Sequence, residues 1–436
     1  MRIKQLLCNK SAKNFLIYFG FEGINRALPF IILPIIAAYI STTEYGILTN
    51  FTILVQILSA VVALNTYSAL SVFYFKDNNR IVSIFSNLAG LILILSVICF
   101  FVLLLFSRLI EFYFRISFFW QVLALITAST ASIISLYTTL LRMQKKAISF
   151  AYLQLSQSFF MFVLAIMFVV VFLWNWQGRA LSMVISNVLV MFFCLLFMFR
   201  KNPLLSQHTV NLFEIKKYFL FGLPLLPHTL SFWFKSGMDK IIITNTVSLS
   251  ANGIYSISLT LGGIIGLFTN AFFNMYSPHV YEKLHYIETA SPDEASKIKR
   301  KLVSQAYYFC ICLLLICVFS YFIMAIIIRH LFSGDYLLSI PLLPFVLVIS
   351  FFNAMYAIVS IYLFYMNKTK QLGITTFSAS VLQVLLTYFG VSIWGTIGAL
   401  YSGVFVSFII FVSVFYLSNK YYPLPWFAKH HNIKTM

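Results

Sequence analysis

The chain has 436 residues, of which 61% are hydrophobic and only 9% charged. Soluble domains carry roughly 25% charged residues, so lipid must be the solvent for most of this surface. The formal charge of +19 would suggest nucleic acid in a soluble chain, but here the basic residues fall in short gaps between apolar runs and no nucleic-acid partner is expected.

The N-terminal stretch Met1–Lys13 is basic and leads into a long apolar run. A secretory signal would show a shorter apolar core and a small-residue cleavage site, so the first helix is expected to stay. About 20 apolar residues span a bilayer, and twelve runs qualify. The first six are Asn14–Ile40, Gly46–Phe75, Val82–Phe106, Phe118–Leu141, Ser149–Leu173 and Ala180–Phe199. The second six are Phe219–Asn245, Gly253–Tyr276, Leu302–Ile328, Leu337–Met366, Leu372–Gly390 and Gly395–Leu417. The expected fold class is all-α integral membrane. The expected organisation is an N-terminal six-helix half (1–200), a cytoplasmic linker (201–218), a second six-helix half (219–418) and a cytoplasmic tail (419–436).

Lys and Arg set the orientation, because cytoplasmic loops retain them. With the N-terminus inside, the outer gaps hold only Arg108, Arg115, Arg179 and Arg329. The inner gaps hold most of the rest, from Arg2 through Lys145, Lys216 and Lys301 to Lys434. Removing one helix would flip every later loop and destroy the pattern. Both termini are therefore expected in the cytoplasm. The longest polar gaps, Arg200–Tyr218 and Ser277–Lys301, also face inward. The second reads as a solvated connector; the competing reading is a short surface helix capped by Ser291.

No catalytic signature of the G-x-S-x-G, Walker A or H-E-x-x-H kind occurs. The six cysteines lack metal-ligand spacing and read as small apolar residues. No enzyme activity, metal or cofactor is expected.

The halves carry a faint internal repeat. The first run is followed by Ile40-Ser-Thr-Thr-Glu-Tyr-Gly46-Ile47, the seventh by Val247-Ser-Leu-Ser-Ala-Asn-Gly253-Ile254. Each of these runs contains two prolines, Pro29 and Pro34 in the first and Pro224 and Pro227 in the seventh. Interrupted helices at matching positions point to a transport site. The same two runs carry nearly all the deep charges: Glu22 and Arg26 in the first, Lys235, Asp239 and Lys240 in the seventh, beside His228. Glu22–Arg26 and Lys235–Asp239 are each four apart, so each pair shares a helical face. Either the pairs lock two helices into a bundle, or they line a wet cavity. Intramembrane ions favour the second reading. Softer polar residues, including Gln56, Asn65, Asn270 and Asn274, suit either a cavity lining or plain interhelical bonds.

Leu33-Pro34, Glu44-Tyr45-Gly46-Ile47, Phe221-Gly222-Leu223-Pro224-Leu225-Leu226-Pro227, Asp239-Lys240 and Asn252-Gly253-Ile254-Tyr255 occur in this order. Together they resemble the O-antigen flippases, the polysaccharide-transporter branch of the multidrug/oligosaccharidyl-lipid/polysaccharide exporter superfamily. The resemblance implies two six-helix bundles arranged as a V around a central cavity. It implies movement of an undecaprenyl-pyrophosphate-linked oligosaccharide from the cytoplasmic to the periplasmic leaflet of the bacterial inner membrane by alternating access. Coupling to an H+ or Na+ gradient, and a complex with a glycan polymerase and chain-length regulator, are also implied. Arg26, Lys235 and Lys240 would pair with the pyrophosphate. Asn65, Asn270 and Asn274 would contact substrate, and Glu22 and Asp239 would tether the cations or couple to the ion.

Two rivals differ in testable ways. A drug or cation antiporter of the same superfamily would favour acidic cavity residues. A membrane polymerase or ligase would be expected to place a substantial loop outside, whereas the long gaps here point inward. A scaffold with purely structural charges is a third reading.

Overall fold

The computed structural model describes residues 28, 30–76, 81–201 and 211–426. Among the described residues every regular element is helical. Phe30–Tyr39 (α1) is followed by Thr42–Ala63 (α2) and Thr66–Lys76 (α3). Next come Ile81–Phe114 (α4), Phe118–Met143 (α5), Ala147–Ile166 (α6) with a π turn at Met167–Val171, and Asn175–Lys201 (α7). Leu212–Gly222 (α8) passes through a 3-10 turn at Leu223–Leu225 into Leu226–Thr246 (α9). Leu249–Gly262 (α10), Ile264–Thr289 (α11) and Pro292–Leu331 (α12) follow. After a 3-10 segment at Gly334–Leu342, the chain closes with Leu343–Tyr365 (α13), Thr369–Trp394 (α14) and Thr396–Tyr421 (α15).

Among the described residues ten spans are long and apolar enough to cross a bilayer. Each of the twelve expected runs overlaps a described helix, and the chain is a multi-pass membrane protein. Two expectations need correction. Gly46–Phe75 and Gly253–Tyr276 are each two helices, broken at Leu64–Asn65 and at Gly263. The polar stretch Ser277–Lys301 is neither a connector nor a separate surface helix. It continues α11 to Thr289 and opens α12 at Pro292, with the Glu294 N–H donating to Ser291 Oγ at 3.4 Å. At 1.5 Å per residue the 40-residue α12 is about 60 Å long, twice the hydrocarbon thickness.

The chain forms two compact units, one running to Ser256 with Leu331–Ser333, the other comprising 257–330 and 334–436. In the first, α5 buries a small, hydroxyl-rich face including Ala124, Ala128 and Ser132. Small residues let helix backbones approach, which matters in lipid because lipid tails compete with apolar side chains. The terminal carbonyls of α4 have no partners within their helix. Amides from two helices satisfy this end, Asn50 Nδ2 donating to Phe114 O at 2.9 Å and Asn245 Nδ2 to Tyr113 O at 2.7 Å, and Gln121 Nε2 of α5 donates to Ile116 O just beyond it at 3.0 Å.

The two motif glycines pack reciprocally. A Cβ on Gly46 would overlap the Leu249 carbonyl, and one on Gly253 would overlap the Thr42 carbonyl. Beside this crossing, Thr42 Oγ1 and Ser250 Oγ lie 2.7 Å apart, and buried Asn252 Nδ2 donates to Asn50 Oδ1 at 2.9 Å.

In the second unit, Leu347, Ile361 and Tyr362 of α13 pack in one core with Val280 and Leu284 of α11. The segment after α15 folds back into this core. Leu424 and Trp426 are buried there, and the Tyr307 hydroxyl donates to the Trp426 carbonyl.

Candidate functional site

The site forms where two interrupted helices meet inside the first unit. Leu64 and Asn65 both have left-handed backbone, with φ of 40° and 55°. Asparagine tolerates this region, whereas for leucine it is a strained position of order 1–3 kcal/mol. The opposing interruption follows from Pro224 and Pro227, which remove two backbone donors and bend the α8–α9 segment at Leu223–Leu225. Gly222 brings the breaks together, since a Cβ there would overlap the Leu64 carbonyl and lie 2.9 Å from Leu64 Cγ.

Asn65 links the two breaks. The residue is 7% exposed. Its Nδ2 donates to Thr229 Oγ1 at 3.0 Å, and its Oδ1 accepts from the Tyr67 hydroxyl at 3.1 Å. Thr229 Oγ1 is also 3.2 Å from the Leu225 carbonyl, to which it can donate.

Beside this link lies a cavity of about 420 Å³. Gln56, Asn65, Tyr67, Ser132, Thr229 and Trp233 give it amide, hydroxyl and aromatic character, with small residues such as Ala60 and Ala131 between them. Among the described residues no Asp, Glu, Lys or Arg lines it. The Trp233 indole N–H is buried without a hydrogen-bond partner among the described residues. Gly237, one turn on, leaves room for the ring; a Cβ there would sit 2.6 Å from the indole nitrogen. Amides, hydroxyls and aromatic faces match the alternating polar edges and apolar faces of a sugar ring, and an unspent N–H donor in such a wall can bind a ligand oxygen.

The expected site residues do not all gather here. Asn65 lines the cavity. Asn270 and Asn274 are exposed on α11, in the other unit. Asp239 is buried further along α9 and does not line the cavity. Its carboxylate accepts from the Tyr255 hydroxyl and from the Lys240 backbone N–H, the latter at 2.9 Å. Tyr255 is thus a partner for Asp239 that the i, i+4 spacing alone did not reveal. Lys240 is partly buried. Glu22 and Arg26, and the side chains of Lys235 and His228, lie outside the described residues.

Sequence reasoning missed Tyr67, Ser132, Thr229 and Trp233. One signal was present: Thr229 and Trp233 are four apart directly after the Gly-Leu-Pro-Leu-Leu-Pro stretch, so they share a face of the helix that the prolines open.

Three comparisons bear on identity. The model of the family described as "Polysaccharide biosynthesis protein" matches residues 11–276. A protein of the Lsg locus of Haemophilus influenzae is 26% identical over 284 residues, covering 63% of this chain and 67% of that protein. Among solved structures, the lipid II flippase MurJ in an inward closed conformation aligns with a TM-score of 0.73 at 13% identity, covering 92% of this chain and 87% of that one. An inward-facing multidrug resistance MATE family transporter of the MOP superfamily aligns with a TM-score of 0.63 at 17% identity, covering 91% and 94%. At these identities the structural matches establish a shared fold.

Proposed function

Because the chain belongs to the polysaccharide biosynthesis protein family, we propose that it is a flippase for a lipid-linked oligosaccharide. The cargo is an undecaprenyl-pyrophosphate-linked repeat unit of a surface polysaccharide. It moves from the cytoplasmic to the periplasmic leaflet of the bacterial inner membrane by alternating access, coupled to an ion gradient. The observation that carries this reading is the cavity at the paired helix breaks, which the described residues line with amides, hydroxyls and aromatic rings. Its lining of Gln56, Asn65, Thr229, Tyr67 and Trp233 suits hydroxyl-rich rings.

The glycan and its anchor make different demands. A sugar needs many weak, directional contacts, which amides and aromatic faces supply. A pyrophosphate needs cations, because charge in hydrocarbon is costly. Arg26, Lys235 and Lys240 are proposed for that task, with Glu22 and Asp239 balancing their charge. Asn270 and Asn274, exposed on α11, are proposed as further glycan contacts. A cation antiporter is less well supported. It would call for an acid in the cavity, whereas the buried Asp239 is engaged by Tyr255 away from the lining.

The test is surface glycan display in cells whose own flippase is deleted, complemented with variants at matched protein levels. Gln56→Ala, Trp233→Ala, Arg26→Ala and Lys235→Ala should each reduce display and accumulate lipid-linked repeat units on the inner leaflet. Wild-type display in all four would overturn the proposal.

A further inference from the structure

The second unit holds a larger cavity, of about 730 Å³, between α11 and α12. Its walls are mostly aromatic and aliphatic. Phe272 stacks on Phe309 with ring centroids 4.1 Å apart, and on Tyr276 at 5.1 Å. Met275 and Ile316 extend the apolar surface. Two polar atoms in this wall have no hydrogen-bond partner among the described residues: the Tyr276 hydroxyl, on a side chain 7% exposed, and Gln305 Oε1. A buried donor and a buried acceptor left unpaired in an apolar wall are costly, and a polar ligand group at their level would satisfy them once the side chains turn to meet it. His279 lies at the same level and lines the same cavity.

Charge is arranged along the groove. Lys283 stands four residues after His279 on α11, and Lys301 four residues before Gln305 on α12, so each lies one turn nearer the Ala290–Ser291 corner on the corresponding face. The order along the groove is therefore two ammonium groups, then hydrogen-bonding side chains, then hydrocarbon. Tyrosine at the boundary between wet and apolar zones is the pattern of a membrane interface.

We infer that this groove binds an anionic phospholipid, with its phosphate between Lys283 and Lys301, its ester region against Tyr276 and Gln305, and one acyl chain along Phe272 and Phe309. The phosphate matches the lysines, the ester carbonyl accepts from the Tyr276 hydroxyl, and a glycerol hydroxyl of the headgroup donates to Gln305 Oε1. A zwitterionic lipid carries no net charge for the lysines and offers no such hydroxyl. The site is independent of the transport reading, because its occupant is a membrane lipid and not the cargo.

The test uses the full chain, purified and delipidated in detergent. It is titrated with dioleoyl phosphatidylglycerol, dioleoyl phosphatidylcholine or polyprenyl monophosphate and read by native mass spectrometry. Phosphatidylglycerol should be retained in preference to phosphatidylcholine. Lys283→Gln with Lys301→Gln should weaken phosphatidylglycerol about thirtyfold, at roughly fivefold per lysine, and phosphatidylcholine, whose choline cation offsets its phosphate, by much less. Tyr276→Phe should weaken both phospholipids alike. Equal retention of the two phospholipids by the wild type, or an unchanged preference in the double lysine variant, would overturn the assignment. So would retention of polyprenyl monophosphate without phosphatidylglycerol, which would make the groove a site for the isoprenoid chain.

Discussion

Asn65→Ala tests the link between the two helix breaks. The substitution removes two side-chain hydrogen bonds, to Thr229 at 3.0 Å and from Tyr67 at 3.1 Å. Interhelical bonds in membranes average about 0.6 kcal/mol and reach about 1.7 kcal/mol. Alanine must also adopt the left-handed backbone at φ 55°, which costs about 1–2 kcal/mol. The sum is a destabilisation of about 2–4 kcal/mol. Asn65→Gly separates the two contributions, because glycine accepts the backbone but makes neither bond, and it should recover about 1 kcal/mol relative to alanine. A double-mutant cycle with Thr229→Val should give a coupling of about 1 kcal/mol. The assay is equilibrium unfolding in mixed detergent micelles, with glycan display measured in parallel. An alanine variant within 0.5 kcal/mol of wild type, or a glycine variant no better than alanine, would refute the reasoning.

Other substitutions probe neighbouring features. Gly222→Ala drives a Cβ into the Leu64 carbonyl; it should cost about 1–3 kcal/mol by overpacking and lower glycan display, measured by thermal unfolding and complementation. Gly46→Ala and Gly253→Ala should each lower the unfolding temperature, and the double variant should lose less than the sum, because separating the helices once relieves both contacts. Tyr255→Phe leaves the buried Asp239 carboxylate without its hydroxyl donor; a loss of about 1–3 kcal/mol is expected, and it should be smaller when Asp239→Asn is already present.

The architecture was legible because lipid imposes long apolar runs and because polar gaps separate them. Both signals are summed over many residues, so they survive local irregularity. Breaks were legible only where chemistry announces them. Pro224 and Pro227 mark the α8–α9 interruption, but Leu64–Asn65 carries neither proline nor glycine. There the chain bends because Gly222 and Thr229, distant in sequence, receive it. The stretch Ser277–Lys301 misled for a related reason. Its polarity indicates water, and a helix that extends past the membrane is as polar as a loop. Single polar residues were the least legible. Asn65, Asn270 and Asn274 look alike in sequence, yet one is buried at a cavity and two are exposed on a different unit.

The reciprocal crossing of α2 and α10 has a local symmetry. Gly46 meets the carbonyl of Leu249 while Gly253 meets that of Thr42. In the internal repeat, Gly46 corresponds to Gly253 and Thr42 to Leu249. Each copy thus offers the other the same spot, the exchange made by a two-fold axis between identical subunits. The crossing therefore has the form of an isologous contact made within one chain. The symmetry is confined to the backbone: Asn50 and Asn252, which bond to each other here, have Ile257 and Tyr45 as their repeat counterparts. The side chains around the crossing are thus asymmetric, whereas the bare backbone contact is not, because any side chain added on either face collides with the opposite helix.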